Sequence, residues 1–163
     1  MADLNCSKEY LHELFEYKDG NLYWKKIGGR RRSNKPAGTV VKNKYIQIRH
    51  GENKFLAHRA IFMMFNGYLP EYIDHIDGNG FNNNINNLRE ATRAQNSMNS
   101  KIRKDSTTGV KGVGYCKKCK KWFGRVTVDG KSNSLGYFDT IENAEKAVKS
   151  ARNLLHGEYS RHY

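Results

Sequence analysis

The chain has 163 residues, 29 Lys plus Arg against 16 Asp plus Glu, a formal net charge of +13 and a mean hydropathy of −0.85. Its longer apolar runs, such as LAHRAIFMMF, are interrupted by charge and fall short of the ~18–20 residues that span a bilayer, and MADLNCSKEY opens without a charged-then-apolar leader. A membrane protein, a secreted precursor and a coiled coil are excluded on this reading, and the length fits one domain or two very small ones with modest cores.

The excess of positive charge points to a polyanionic partner, nucleic acid ahead of a membrane surface because no basic amphipathic helix stands out. Residues 1–99 carry 15 basic and 10 acidic side chains and the remaining 64 carry 14 and 6, so both parts are basic. Cys6, Cys116 and Cys119 make an odd count without a secretory context, which argues against a disulfide framework and for a reducing cytoplasm.

Residues 7–17 (SKEYLHELFEY) set Tyr10, Leu11, Leu14 and Phe15 at helical spacing behind Ser7, a ready N-cap, and predict a short amphipathic helix. Asp19-Gly20 turns the chain into LYWKK. The basic run GGRRRSNK, with Arg30, Arg31 and Arg32, reads either as a solvated loop or as an arm that contacts phosphate. GTVV and YIQIR follow as strands, and LAHRAIFMMFNG reads as a strand end running into a buried helix that stops at Gly67. Arg59, near the start of that helix, suits a phosphate contact and a packing role equally.

Residues 72–99 are rich in Asn, and positions 82–87 are Asn or Ile throughout. Apolar residues frame the stretch, so the spacing predicts a strand over 72–76, a polar loop over 77–86, a strand over 87–91 and a helix over 93–101. Thr92 and Gln95 form the capping box that opens the helix. SKIRKDSTTG (100–109) reads as a linker. Beyond it, VKGVGYC, WFGRVTV and SNSLGYF predict three strands. Ala144, Ala147, Val148, Ala151, Leu154 and Leu155 then mark the apolar face of a helix that Gly157 stops.

Asp74, His75 and Asn96 are the residues with chemistry to offer. Phosphodiester hydrolysis needs a base for water and a cation for the charge that develops on the phosphorane and the leaving oxygen. An imidazole titrating near ~6.5 suits the first task, and carboxylate plus carboxamide oxygens suit hard Mg²⁺ rather than zinc for the second. Spacing alone leaves open a solvated Asp-His pair in a polar loop. His12, His50, His156 and His162 show no partner in the sequence and are assigned to the surface.

DHIDGN, then NN, then NLREAT, then a helix with Asn, resembles the HNH endonuclease family over residues 55–99, in its phage and intron-associated homing-type branch with a β-β-α metal motif. The resemblance implies His75 as general base, Asp74 and Asn96 as ligands of Mg²⁺ or Mn²⁺, and Asn87 as the residue that holds the loop and the base in place. Arg93, on the same helix, is a candidate for a nearby phosphate. GVKGVGY, KWFGRV and LGYFDT with the Ala-rich helix resemble the APETALA-two-like DNA-binding domain, a three-stranded sheet with one packed helix. There Arg125, Thr127, Ser132 and Ser134 fall on the face that meets DNA. Trp122 is read as a core residue ahead of a DNA contact. Cys116 and Cys119 form one CxxC without a second pair, so no structural zinc is expected.

The expected architecture is α+β. A small antiparallel region and the HNH motif occupy 1–99, a linker 100–109 and the second DNA-binding module 110–160. The expected function is a metal-dependent endonuclease acting on double-stranded DNA, in the host cytoplasm if phage-encoded, with no membrane and no obligate protein partner. The competing reading is a DNA-binding regulator whose nuclease motif is silent.

Overall fold

In a computed structural model the chain is α+β, and the structure describes residues 6–25, 35–42, 44–102 and 105–162. The basic run with Arg30, Arg31 and Arg32 lies outside the described residues. The chain divides into two compact units, residues 1–91 and 92–163. The boundary precedes the helix of the HNH-like segment, whereas the sequence groups that helix with residues 1–99.

The first unit opens with α1 (Lys8–Leu14), where Ser7 Oγ accepts the Tyr10 N–H at 3.2 Å and Leu11 and Leu14 are buried. The helix predicted to run to residue 17 ends at Leu14, because Phe15 begins β1 (Phe15–Lys18), paired antiparallel with β2 (Asn21–Trp24). Phe15 is fully buried with its ring 4.4 Å from Trp24, so packing overrides a periodicity that Phe15 would otherwise extend. The hairpin turns on Asp19 and Gly20, at φ +48° and +80°, which is the left-handed geometry a two-residue turn demands.

The second sheet has the order β3-β4-β5 (Thr39–Val41, Tyr45–His50, Asn53–Leu56), all antiparallel. β5 passes directly into α2 (Ala57–Asn66), which buries Ala60, Ile61, Phe62 and Met64 and stops at Gly67 with φ +77°. Leu11, Phe15, Leu22, Ile48, Ile61 and Met64 form the fully covered centre of this unit. Two strands close it, β6 (Tyr72–His75) and β7 (Leu88–Ala91), paired antiparallel, with a 3-10 turn at Ile85–Asn87 before β7.

The second unit begins with α3 (Arg93–Met98). Both halves of its capping box are made: Gln95 N–H to Thr92 Oγ1 at 3.2 Å and Thr92 N–H to Gln95 Oε1 at 2.7 Å. The helix predicted to reach residue 101 ends at Met98. Its terminal carbonyl is taken by Lys111 Nζ at 2.9 Å and Arg152 Nη2 at 3.4 Å, cations well placed at a helix C-terminus. Burial, with Arg152 and Arg161 nearby, pushes Lys111 down to about 8.

β8 (Val113–Cys116), β9 (Lys121–Val128) and β10 (Lys131–Phe138) form an antiparallel sheet in the order β10-β9-β8. The helix α4 (Ile141–His156) packs on it through Ala144 and Val148 against Val113 and Val126, and Trp122 joins that core. A Cβ on Gly124 would lie 2.9 Å from Val148 Cγ2, so the missing side chain is what lets helix and sheet approach. Leu154 and Leu155, expected on the packed face, are exposed, while Arg152 and His156 are buried in that turn. The expected surface histidines have partners: His12 with the Met64 carbonyl, His50 with the Tyr10 hydroxyl, His156 with the Thr127 carbonyl and His162 with Asn153.

Candidate functional site

The end of β6 places Asp74 and His75 side by side in the chain, both buried, at 3% and 6% exposure. Asp74 stands opposite Arg89 in the β6–β7 ladder, and the guanidinium donates from Nε (3.0 Å) and Nη2 (2.9 Å) to Asp74 Oδ2. Charge-assisted contacts of this kind neutralise the carboxylate and hold Oδ2 in place.

His75 is held by the loop that follows. Asn83, 1% exposed, presents Oδ1 to His75 Nε2 at 3.0 Å. An amide oxygen accepts, so Nε2 carries the proton and the lone pair of the neutral ring falls to Nδ1. Burial pushes the His75 imidazole below its usual range. The Asn83 bond and the carboxylates of Asp77 and Asp74 oppose that, Lys44 adds to it, and the net direction is down. His75 is therefore an uncharged base at neutral pH.

The ring of His58, buried on α2, meets that of His75 edge-on at 5.1 Å, and Tyr45 tilts over His58 at 5.2 Å. Burial, followed by the charges of His75 and Arg59, drives His58 to about 3.

Asn87 closes the loop. Its Nδ2 donates to the Asn82 carbonyl (2.7 Å) and to Asp77 Oδ1 (3.0 Å), its Oδ1 accepts the Asp77 N–H (3.0 Å), and its carbonyl accepts the Ile76 N–H (2.9 Å). Asp77 also accepts from the Asn79 N–H and from Asn82 Nδ2, both at 2.8 Å. Partial burial pushes the Asp77 carboxyl up, but these bonds together outweigh it and hold it below the usual range. The asparagine run is thus an interlocked polar loop in which side chains replace the ladder bonds that backbone lacks.

The fold braces the loop from two sides. Tyr17 Oη accepts the Ile85 N–H at 3.1 Å, and a Cβ on Gly20 would lie 2.8 Å from Asn84 N. A Cβ on Gly80 would run into the Lys44 carbonyl and the Tyr45 ring, so only glycine fits there.

Asp74, His75 and Asn87 are therefore gathered on one strand end and its loop. Asn96 is half-buried and Arg93 exposed on α3, in the second unit. Arg59 donates from Nη1 to the Pro70 and Glu71 carbonyls, both at 3.4 Å, which ties down the chain entering β6. Arg125, Thr127, Ser132 and Ser134 are exposed on β9 and β10, with Thr127 opposite Ser132 and Arg125 opposite Ser134. Among the described residues no three His, Cys, Asp or Glu side chains gather to hold a metal ion, and no helix is long and apolar enough to cross a membrane.

Asn83, Arg89 and His58 are the site residues that sequence reasoning missed. Arg89 was within reach, since antiparallel pairing of the two predicted strands brings it opposite Asp74. Asn83 had no signal of its own among its neighbouring asparagines.

Comparison with known proteins meets this geometry at the same segment. Residues 55–98 match the HNH endonuclease family. Protein 3.8 of Escherichia phage T7 is 38% identical over 106 residues, covering 64% of this chain and 87% of the phage protein. No solved structure matches.

Proposed function

Because the chain belongs to the family of Protein 3.8 of Escherichia phage T7 and carries an HNH endonuclease domain at residues 55–98, we propose that it is a metal-dependent endonuclease that hydrolyses phosphodiester bonds of double-stranded DNA. The observation that carries the reading is His75: a buried, neutral imidazole whose Nε2 is fixed by Asn83, beside the Asp74 carboxylate.

On this reading His75 is the general base and takes a proton from water. Asn83 orients its ring, and Asn87 keeps the loop, and with it Asn83, in register. Asp74 and Asn96 offer the oxygen donors that a hard divalent ion, Mg²⁺ or Mn²⁺, takes. So small a protein donor set suits an ion that keeps most of its shell in water and substrate phosphate. When bound, such an ion supplies charge stabilisation at the scissile phosphate and the leaving 3′ oxygen. Arg89 orients Asp74, the supporting role that ligating carboxylates commonly require.

The second unit supplies affinity. We read it as an APETALA-two-like module whose exposed Arg125, Thr127, Ser132 and Ser134 meet DNA, with hydroxyls suited to phosphate contacts. Arg93 is assigned to a phosphate near the cleavage site, and Arg30, Arg31 and Arg32 to further backbone contacts. Arg59, held by two carbonyls, acts by positioning β6. A homing-type role in the host cytoplasm fits the phage relative.

The test is cleavage of supercoiled plasmid with Mg²⁺ or Mn²⁺, then with EDTA. Wild-type protein is expected to nick or linearise the plasmid and EDTA to stop it. His75→Ala is expected to lose about 10²-fold or more in rate, the scale of a missing general base, while retaining duplex binding. A wild type that binds duplex DNA but never cuts it is a regulator with a silent motif, and the proposal fails.

A further inference from the structure

The hairpin between β8 and β9 carries a feature that the nuclease reading does not use. Cys116 ends β8 opposite Lys121, and the loop between them, Lys117 to Lys120, contains Cys119. The Cys119 N–H donates to Cys116 Sγ at 3.3 Å, and the two thiols hydrogen-bond one another. Cys119 is exposed, Cys116 partly so, and both are free thiols. Lys120 takes the left-handed conformation at φ +52° in this tight loop. Lysines 117, 118, 120 and 121 surround them.

We infer that Cys116 and Cys119 form a thiol–disulfide couple, a modification site at the tip of this hairpin that is oxidised by small-molecule disulfides of the glutathione class. The assignment is independent of the nuclease proposal. Hydrogen bonds from the Cys119 thiol and backbone N–H and from the Lys118 N–H hold the Cys116 thiol below its usual value, which makes it the attacking sulfur. Cys119, whose thiol donates to Cys116, is held above its usual value and acts second. An accessible thiolate beside a resolving cysteine is the arrangement found in redox-responsive sites. Cys6 is the internal control: it is buried, and burial pushes its thiol up.

The chemistry balances in two steps. Cys116 loses its proton to solvent and its Sγ attacks one sulfur of the small disulfide, forming a mixed disulfide and expelling one thiolate. Cys119 then loses its proton and its Sγ attacks Cys116 Sγ, forming the Cys116–Cys119 bond and expelling the second thiolate. Two electrons pass from the cysteine pair to the small disulfide, and the two released thiolates account for the two protons.

The test uses the full chain, reduced and then incubated with oxidised glutathione, quenched with an alkylating reagent and mapped by peptide mass. The expected product is a Cys116–Cys119 disulfide, with Cys6 alkylated only after denaturation. Cys119→Ser is expected to stop at glutathione attached to Cys116, and Cys116→Ser to acquire glutathione roughly tenfold more slowly. Equal rates in the two single variants, or no loop disulfide in the wild type, would overturn the proposal. So would half an equivalent of zinc per chain in a dimer that EDTA dissociates, which would make the pair metal ligands.

Discussion

Two arginines in two antiparallel ladders sit in opposite surroundings. Arg89 stands opposite Asp74 in the first, largely shielded, with both contacts on one carboxylate oxygen. Arg125 stands opposite Ser134 in the second, exposed on a sheet whose other face holds the core. In sequence each is a basic residue in a short strand. The difference lies in what the opposite strand offers and how much water remains. Arg89 is neutralised inside the protein and holds an acid, while Arg125 carries its charge in the open. The high net charge of the chain therefore overstates the cationic charge left open in the first unit, where Arg89 is paired with an acid and Arg59 with two carbonyls.

That contrast can be tested at both ends. Arg89→Ala is expected to have the largest effect on stability. It strands a buried carboxylate, a defect that costs about 3–5 kcal/mol, read as a lower denaturant midpoint, and a loss under about 1 kcal/mol would show that water reaches Asp74 freely. Acid comes next. His58 has a folded value of about 3 against an ordinary ~6.5. The unfolded chain therefore takes a proton that the folded one refuses, and stability is complete above about pH 6.5 and falls as pH drops towards 3. The slope from this group alone approaches about 1.4 kcal/mol per pH unit. His75 is shifted the same way and adds to it. His58→Phe should flatten that slope in pH-dependent melting, and an unchanged profile would remove His58 as its source. The smallest effect belongs to Arg125→Ala, which should leave melting unchanged and lower the salt dependence of duplex binding by about one phosphate contact. A variant with the wild-type salt slope would take Arg125 off the DNA surface.

Local signals carried much of the architecture. The Ser7 cap, the Asp19-Gly20 turn, the Gly67 stop and the Thr92–Gln95 box all act within four residues of themselves and are made as read. The errors arose where distant packing decides. Phe15 leaves the helix because Trp24 and the core claim it, and α3 stops early because Lys111 and Arg152 take its terminal carbonyl. At the candidate site, Asp74, His75 and Asn87 were legible because motif residues sit at fixed spacing. Asn83 was not, since five asparagines at 82–87 look alike in sequence, and only the folded loop separates the one that touches His75 from those that cap turns.

An imidazole that stays uncharged down to about pH 3 is a poor recipient for a proton, although its ring lies 5.1 Å from that of His75. The two rings thus form an insulated contact rather than a relay, and a hydrogen ion on His75 is not handed on to His58. On the proposed function, resetting His75 between turnovers would depend on exchange with solvent or departing product, which makes buffer access the variable to measure.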